Sequence, residues 1–185
     1  MVTRIYLVQH GDKERAPGDP GLTELGRHQA QVTARWLQGM GLNEVHSSPL
    51  RRARETAEAI ARAAGLTVKV DSRLRERMNW DATQTLETFL AEWDRSTKDR
   101  DFVPGTGESS WSAGERLRAF LAAHSGGSGQ IAAVAHGGVT TDLLRTLLGD
   151  AGLPPRLLGE GVPSCAVTTF DDLHVVTVAS TEHLT

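Results

Sequence analysis

The stretch IYLVQHGD, residues 5–12, determines the fold that we expect for this chain. The continuous apolar run from Ile5 to Val8 is typical of a short strand that is covered on both faces. This run ends near His10-Gly11, and the same order of apolar run, histidine and glycine recurs in IAAVAHGG, residues 131–138. The two stretches predict strands of a parallel sheet with a histidine after each.

Helical patterns alternate with strand patterns along the rest of the chain. Ser112 and Glu115 match a capping box, which predicts a helix from Ser112 through Ala123. Other helices are predicted from Thr23 to Gly39, from Pro49 to Gly65, over 85–94 and over 139–148, and further strands around Val45 and over 68–70, 166–170 and 174–179. The fold class is therefore α/β, a three-layer sandwich with a mostly parallel central sheet and helices on both faces.

We expect residues 1–185 to form one domain, in which the segment at about 78–110 is a small cap over the site. Trp80, Trp93 and Trp111 lie in or beside this segment. They could line a pocket, although an aromatic side chain on an amphipathic helix more often belongs to the core.

The composition excludes several classes of protein. Hydrophobic residues make up 39% of the 185 residues and charged residues 23%, as in globular proteins. The net charge is −3 without a basic block, so no nucleic-acid partner is expected. Cys165 is the only cysteine, which fits a reducing compartment. The apolar run near the start is too short for a signal peptide or a membrane span, so we expect a cytoplasmic, soluble protein with no membrane partner.

The residues that follow the predicted strands suggest a site. Because sites in open α/β sheets form outside the carboxyl ends of the strands, His10 and His136 are expected to meet in one crevice. The stretch 47–52 also follows a strand and opens a helix, whose N-terminus favours anions. Each histidine alone is more often structural, and Arg51, Arg52 and Arg54 could simply solvate a helix face. Their joint placement favours an anion-binding crevice.

Other chemistries fit the sequence poorly. The seven histidines show no short paired spacing with Cys165 or with a carboxylate, so no metal site is expected. The chain has no G-x-S-x-G elbow and no glycine-rich nucleotide motif, so neither a serine hydrolase nor a nucleotide cofactor is indicated.

An ordered set of motifs along nearly the whole chain resembles the histidine phosphatase superfamily, the phosphoglycerate-mutase-like proteins. The motifs are LVQHG (7–11), LTELGRHQA (22–30), SSPLRRARETA (47–57), RLRER (73–77), GES (107–109) followed by Arg116, and VAHGG (134–138). Each motif alone is weak, whereas the ordered set is specific.

The resemblance implies a role for each matching residue. His10 would be the nucleophile, Arg52 a phosphate-binding arginine, and His136 a second phosphate ligand. Glu76 would be the proton donor, since Gly137 stands where some relatives carry an aspartate after the second histidine. Phosphoryl transfer asks mainly for positioning and positive charge, so backbone N–H groups such as that of Gly137 could bind the remaining oxygens. No metal and no organic cofactor would be required.

Gln9 replaces the first arginine of the R-H-G signature that this family carries. Glutamine keeps a hydrogen-bond donor but loses the charge and the planar fork. At roughly 1.5–3 kcal/mol for a hydrogen bond to a charged group, the loss predicts a reaction slower by roughly ten- to a hundredfold. Without that cation we also expect a higher pKa for His10 than in an arginine-bearing relative. Lys13 could restore the charge, but a loop lysine is expected to be solvated.

The predicted function is a phosphomonoesterase acting on a small phosphorylated metabolite through a phosphohistidine on His10. The alternative is a binding module for a phosphate ligand or a phosphoprotein, which Gln9 alone supports. A phosphoglycerate-type mutase is less favoured, because the loop 12–15 lacks the asparagine-bearing stretch usual in mutases and the chain is short. A phosphohistidine-protein phosphatase is disfavoured by the expected cap. Whether the protein forms a homo-oligomer is left open.

Overall fold

A computed structural model describes residues 1–185 and contains one six-stranded sheet. The strands are β1 (Arg4–Gln9), β2 (Glu44–Ser47), β3 (Val68–Val70), β4 (Gln130–Ala135), β5 (Val167–Asp171) and β6 (His174–Ser180). They lie in the order β3-β2-β4-β1-β5-β6. The first four strands in this order pair in parallel, whereas β5 runs antiparallel to β1 and β6 antiparallel to β5. The mostly parallel α/β sheet expected from the sequence is confirmed.

Helices cover both faces of the sheet. They are α1 (Glu24–Gln38), α2 (Arg51–Ala64), α3 (Leu86–Lys98), α4 (Ser110–His124), α5 (Gly137–Leu148) and the short α6 (Pro155–Glu160). Ile5 and Leu7 of β1 belong to the core cluster of α4 and α5, whereas Tyr6 and Val8 belong to the cluster of α1 and α2. Burial on alternate faces explains the continuous apolar run. None of the helices combines the length and apolar character that crossing a bilayer requires.

Most helix ends follow the predicted local signals. Thr23 caps α1 by accepting a hydrogen bond from the Gly26 N–H at 3.0 Å, and Gly65 ends α2 in the left-handed region at φ 69°. The sequence missed α6, which is only six residues long.

The predicted start of α4 at Ser112 was wrong. Ser109 is the cap, because its hydroxyl accepts the Ser112 N–H at 3.2 Å, so Ser112 lies within the first turn. Between them, the Ser110 hydroxyl donates to the buried Asp142 carboxylate at 2.6 Å. The cap at Ser109 is a local hydrogen bond, and the contact between Ser110 and Asp142 holds the same first turn against α5.

The strand register determines which residues share the site edge. Gln9 pairs with Ala135, so the residues that follow them, His10 and His136, lie side by side. Ser48 joins the same edge, since its N–H donates to the Val134 carbonyl at 2.9 Å.

Glycines allow α1 to contact the loop after β1. A Cβ atom on Gly26 would lie 1.9 Å from the Asp12 carbonyl oxygen, and one on Gly11 would lie 2.5 Å from the Gly26 carbonyl oxygen. The Thr23 N–H also donates to the Asp12 carbonyl at 3.0 Å. The loop that carries His10 into the site is therefore fixed by a backbone-to-backbone approach.

We expect Gly26→Ala to lower the free energy of unfolding by about 1–3 kcal/mol, because the added methyl group must push α1 away from the loop. The matched control is Gly39→Ala at the other end of α1, where the nearest atom to an added Cβ lies 3.8 Å away and φ is −76°. The control should change the free energy by no more than about 0.5 kcal/mol. Chemical denaturation measures both variants, and equal losses would contradict the assignment.

Candidate active site

A cleft of about 590 Å³ opens at the carboxyl edge of the parallel strands. This volume is typical of small-molecule sites. One end of the cleft carries Gln9, His10, Arg52 and Glu76, which come from β1, the loop after it, α2 and the loop after β3. The sequence-predicted residues therefore converge on one place, where His136 packs against His10 without lining the cleft.

His10 is held in one tautomer. Its Nδ1 lies 2.7 Å from the Gly11 carbonyl oxygen, which can only accept, so Nδ1 carries the proton and Nε2 carries the lone pair. The Arg52 Nε–H donates to Nε2 at 3.2 Å. The pKa of His10 is lowered to about 3, chiefly by burial and then by the Arg52 charge. The imidazole is thus a neutral base whose reactive nitrogen lies beside a cation.

Arg52 is a buried cation with an unused donor. Only 4% of the residue is exposed, although it lies in the first turn of α2. Its Nη2 donates to the Asn79 side-chain oxygen at 3.2 Å, whereas Nη1 is buried and has no partner. Because a buried guanidinium N–H without a partner is costly, this donor marks a place for an anion next to His10.

His136 packs against His10 but does not line the cleft. It is fully buried, its ring centroid is 5.1 Å from that of His10, and its Nε2 lies 2.7 Å from the Ser48 hydroxyl. Its Nδ1 has no partner. Burial first, and then the charge of Arg52, holds the pKa of His136 well below its usual value. The expected contact between His136 and phosphate stays a prediction.

Glu76 sits at the N-terminus of α5. Its carboxylate accepts the N–H groups of Gly138 at 3.0 Å and Val139 at 2.8 Å, and that of Arg77 at 2.8 Å. Carboxylates are stabilised at this end of a helix. These bonds fix the carboxylate in the wall of the cleft.

The loop that carries Glu76 is held in place by Arg116 and by Glu108 of the stretch GES (107–109). Arg116 of α4 donates to the Arg75 carbonyl at 3.0 Å and forms an ion pair with Glu108. Glu108 also pairs with Arg75 at 3.2 Å. This arrangement holds the loop that carries Glu76 against α4.

Gln9 occupies the position beside the reactive nitrogen of His10. Its Nε2 lies 3.4 Å from the His10 Nε2, and its Oε1 is buried without a partner. Gly137 lines the cleft close by, since a Cβ added there would lie 3.6 Å from the Gln9 amide. A donor is therefore present at position 9, but no charge.

Lys13 was expected to be solvated, and the structure corrects this. The side chain is half-buried and lines the cleft. Burial, followed by the nearby charge of Arg52, lowers the pKa of Lys13. Asn79, which orients Arg52, carried no sequence signal of its own, since only the fold brings the two together.

The structure also shows where the other candidate arginines and the tryptophans lie. Arg51 and Arg54 are indeed on a solvated helix face, with side chains 65% and 53% exposed. Trp80 and Trp93 line the cleft. Trp111 lies elsewhere and stacks against Arg100, with the guanidinium carbon 3.8 Å from a ring centroid.

One cluster outside the cleft has side chains that could bind a metal ion. The ligand atoms of Glu44, His46 and His124 lie within 4.8 Å of one another. The expectation of no short spacing between a histidine and a carboxylate was wrong, because Glu44 and His46 are two residues apart in β2, and the fold adds His124 to this pair. The Glu44 carboxylate is already engaged by Lys69 at 3.1 Å and by His46 at 2.7 Å, and this pairing accounts for the cluster without an ion.

Comparisons with known proteins agree with the geometry. The sequence profile of the histidine phosphatase superfamily (branch 1) matches residues 5–172. The chain is 33% identical over 171 residues to a probable phosphoglycerate mutase, GpmB, of Yersinia enterocolitica, covering 83% of this chain and 77% of that protein.

Solved structures share the fold over the full length. A mycobacterial glucosyl-3-phosphoglycerate phosphatase in complex with inorganic phosphate superposes with a TM-score of 0.77 at 26% identity, covering 98% of this chain and 99% of that one. A phosphoserine phosphatase of Entamoeba histolytica in complex with 3-phosphoglyceric acid gives 0.75 at 23% identity, covering 99% and 100%. The second similarity is evidence for the fold alone.

We expect Arg52→Ala to raise the pKa of His10 from about 3, while burial, the larger cause, keeps it below the usual 6.5. The control is Arg54→Ala, two residues along α2 on the exposed face, which should leave this pKa unchanged. Imidazole nitrogen chemical shifts across pH measure the change. An unchanged pKa in Arg52→Ala would show that the Arg52 charge does not act on His10.

The same shift determines the sign of a stability effect. Between about pH 6.5 and 3, unfolded His10 binds a proton that the folded imidazole does not bind. His10 therefore makes the fold less stable as the pH falls through this window.

Proposed function

The chain belongs to branch 1 of the histidine phosphatase superfamily, and on this basis we propose that it is a phosphomonoesterase acting on a small phosphorylated metabolite through a phosphohistidine on His10. The observation that supports this most is the unprotonated Nε2 of His10, which accepts the Arg52 Nε–H at 3.2 Å and lies beside the unpaired Nη1 donor of the same arginine. A nucleophile and an anion-binding donor thus face the same end of the cleft. The phosphatase named among the structural neighbours at 26% identity supports hydrolysis as the reaction class.

In the first step, His10 Nε2 attacks phosphorus in line, so that a P–N bond forms as the P–O bond to the alcohol breaks. Arg52 and the Gln9 amide bind phosphoryl oxygens, together with backbone N–H groups such as that of Gly137. The unpartnered Nδ1 of His136 is a further candidate for this contact. Glu76 donates a proton to the departing oxygen.

In the second step, Glu76 takes a proton from a water molecule that attacks the phosphohistidine. The P–N bond breaks, free phosphate is released and His10 returns to its neutral form. The carboxylate thus ends with the proton that it lost in the first step. The residues present complete this cycle without a metal or an organic cofactor.

Two alternatives have specific support. A phosphate-binding module with little turnover is favoured by Gln9, whose buried Oε1 has no partner and adds no positive charge. A mutase is favoured by the name of the sequence relative from Yersinia. The loop 12–15 argues against the mutase, because it lacks the asparagine-bearing stretch usual in mutases.

The decisive test compares phosphate release from p-nitrophenyl phosphate by wild type and His10→Ala, with an alkaline quench to trap the acid-labile phosphoenzyme. We expect release and a trapped phosphoenzyme in wild type only, because the variant lacks the accepting nitrogen. Equal release by both proteins would refute His10 as the nucleophile. Release of free phosphate without interconversion of phosphoglycerate isomers would exclude the mutase.

A gain of function tests the importance of Gln9. We expect Gln9→Arg to raise kcat/KM by roughly ten- to a hundredfold, because a charged fork replaces a neutral amide beside the phosphoryl group. Gln9→Lys restores the charge without the planar fork and should recover less. A cation at residue 9 should lower the pKa of His10 further, as Arg52 does, so the acid limb of the activity profile should lie at lower pH in Gln9→Arg than in wild type. No gain in either variant would show that residue 9 does not limit turnover.

A further inference from the structure

The apolar face of α3 lines the cleft instead of joining the core. Leu86, Phe89, Leu90 and Trp93 lie at the spacing of one helix face, and all four line the cleft. Leu86 is 46% exposed and Leu90 is 54% exposed. Trp93 contacts Gly138 and the Arg77 guanidinium, whereas Leu86 and Leu90 stay exposed, so a ligand in the cleft is what would remove those two side chains from water.

The apolar wall begins beside the candidate proton donor. A Cβ added to Gly138 would lie 2.6 Å from the Trp93 ring atom Cη2 and 2.6 Å from Glu76 Oε1. Trp93 and Glu76 therefore both lie against Gly138 and close to one another. A leaving alcohol that takes its proton from Glu76 would place its next atoms against the indole.

Further apolar side chains line the cleft beyond its catalytic end. They are Met78 and Trp80 from the loop before α3, and Leu157, Leu158 and Val162 from α6 and the turn after it. A cleft of about 590 Å³ is far larger than a phosphoryl group needs. The remaining volume is available to the alcohol.

Most cationic side chains in the cleft either lie near His10 or form an ion pair with a carboxylate. Arg77 is paired with Asp142 at 2.8 Å, and Arg145 with Asp150 at 2.7 Å. Arg15 also lines the cleft, but it is exposed.

Lys13 and Arg52 lie close enough together for the charge of one to act on the other, at the phosphoryl end. Glu160 adds a negative charge to the lining. The Arg77 Nε–H beside Trp93 is buried without a partner, but Asp142 balances the charge of Arg77, so no net positive charge remains beside α3 to bind a carboxylate of the alcohol.

We propose that the cleft takes a phosphate ester of a bulky apolar alcohol, and not a short ester that carries a carboxylate. This inference rests on the proposed function for the place of the phosphoryl group. The alcohol extends from Glu76 along Trp93 and lies between the apolar face of α3 and α6.

The test is a series of n-alkyl phosphates from ethyl to octyl, in which the leaving alkoxide stays nearly constant. We expect kcat/KM to rise about fourfold for each methylene that becomes buried. 3-Phosphoglycerate and O-phosphoserine should be poorer substrates than the longer alkyl esters. A flat series, or a preference for the carboxylate-bearing esters, would overturn the proposal.

A pair of variants locates the effect on α3. Leu90→Asp places a charge on the apolar face, and Ala91→Asp places the same charge on the next residue, which is exposed and outside the cleft. The dependence on chain length should weaken in Leu90→Asp and match wild type in Ala91→Asp. Since both positions are exposed, circular dichroism should show both variants folded. Equal dependence in both variants would overturn the role of α3.

A binding measurement separates this inference from the proposed function. Calorimetry with n-alkylphosphonates, which cannot be hydrolysed at the P–C bond, reports on the pocket without turnover. Affinity that rises with chain length, with no ester hydrolysed, would refute the phosphatase and support the apolar pocket. Hydrolysis that depends on His10, together with a phosphonate affinity that does not change with chain length, would support the phosphatase and refute the apolar pocket.

Discussion

The in-register parallel pairing of β1 with β4 is the constraint on which the site depends. Each strand ends one residue before a histidine, and pairing Gln9 with Ala135 places the two imidazoles in edge contact. The next strand, β2, brings Ser48 and the start of α2 to the same edge. A slip of one residue in β1 would turn His10 to the other face of the sheet and separate it from His136.

Burial then determines the chemistry of these groups. His10 and His136 are neutral because ionised imidazoles would be deprived of water and would lie near the Arg52 guanidinium. Arg52 remains in this environment with one N–H unsatisfied. Such a group is costly in the free protein, and an anion that binds there relieves the cost. The site is thus prepared for a phosphoryl group at the expense of some stability.

The two ends of the cleft differ in character. At the strand edge, the polar groups are fixed by short hydrogen bonds to backbone, as Glu76 is by the N-terminus of α5. Beyond Trp93 the walls are apolar, and the arginines there are held in ion pairs. Chemistry and recognition of the alcohol are therefore separated along one cleft, and Gly138 is the point where they meet.

The sequence by itself determined the sheet and most of the site edge. The strands before His10 and His136 could be recognised in the sequence because a strand buried on both faces consists almost entirely of apolar residues. The helix ends at Thr23 and Gly65 are readable because caps are local. Tertiary structure decided what depends on neighbours that are distant in the chain. It brought Asn79 to Arg52, placed Lys13 in the wall of the cleft, and packed His136 against His10 without exposing it to the cleft. It also turned the apolar face of α3 toward the cleft, because an amphipathic pattern shows that a face needs cover but not what covers it.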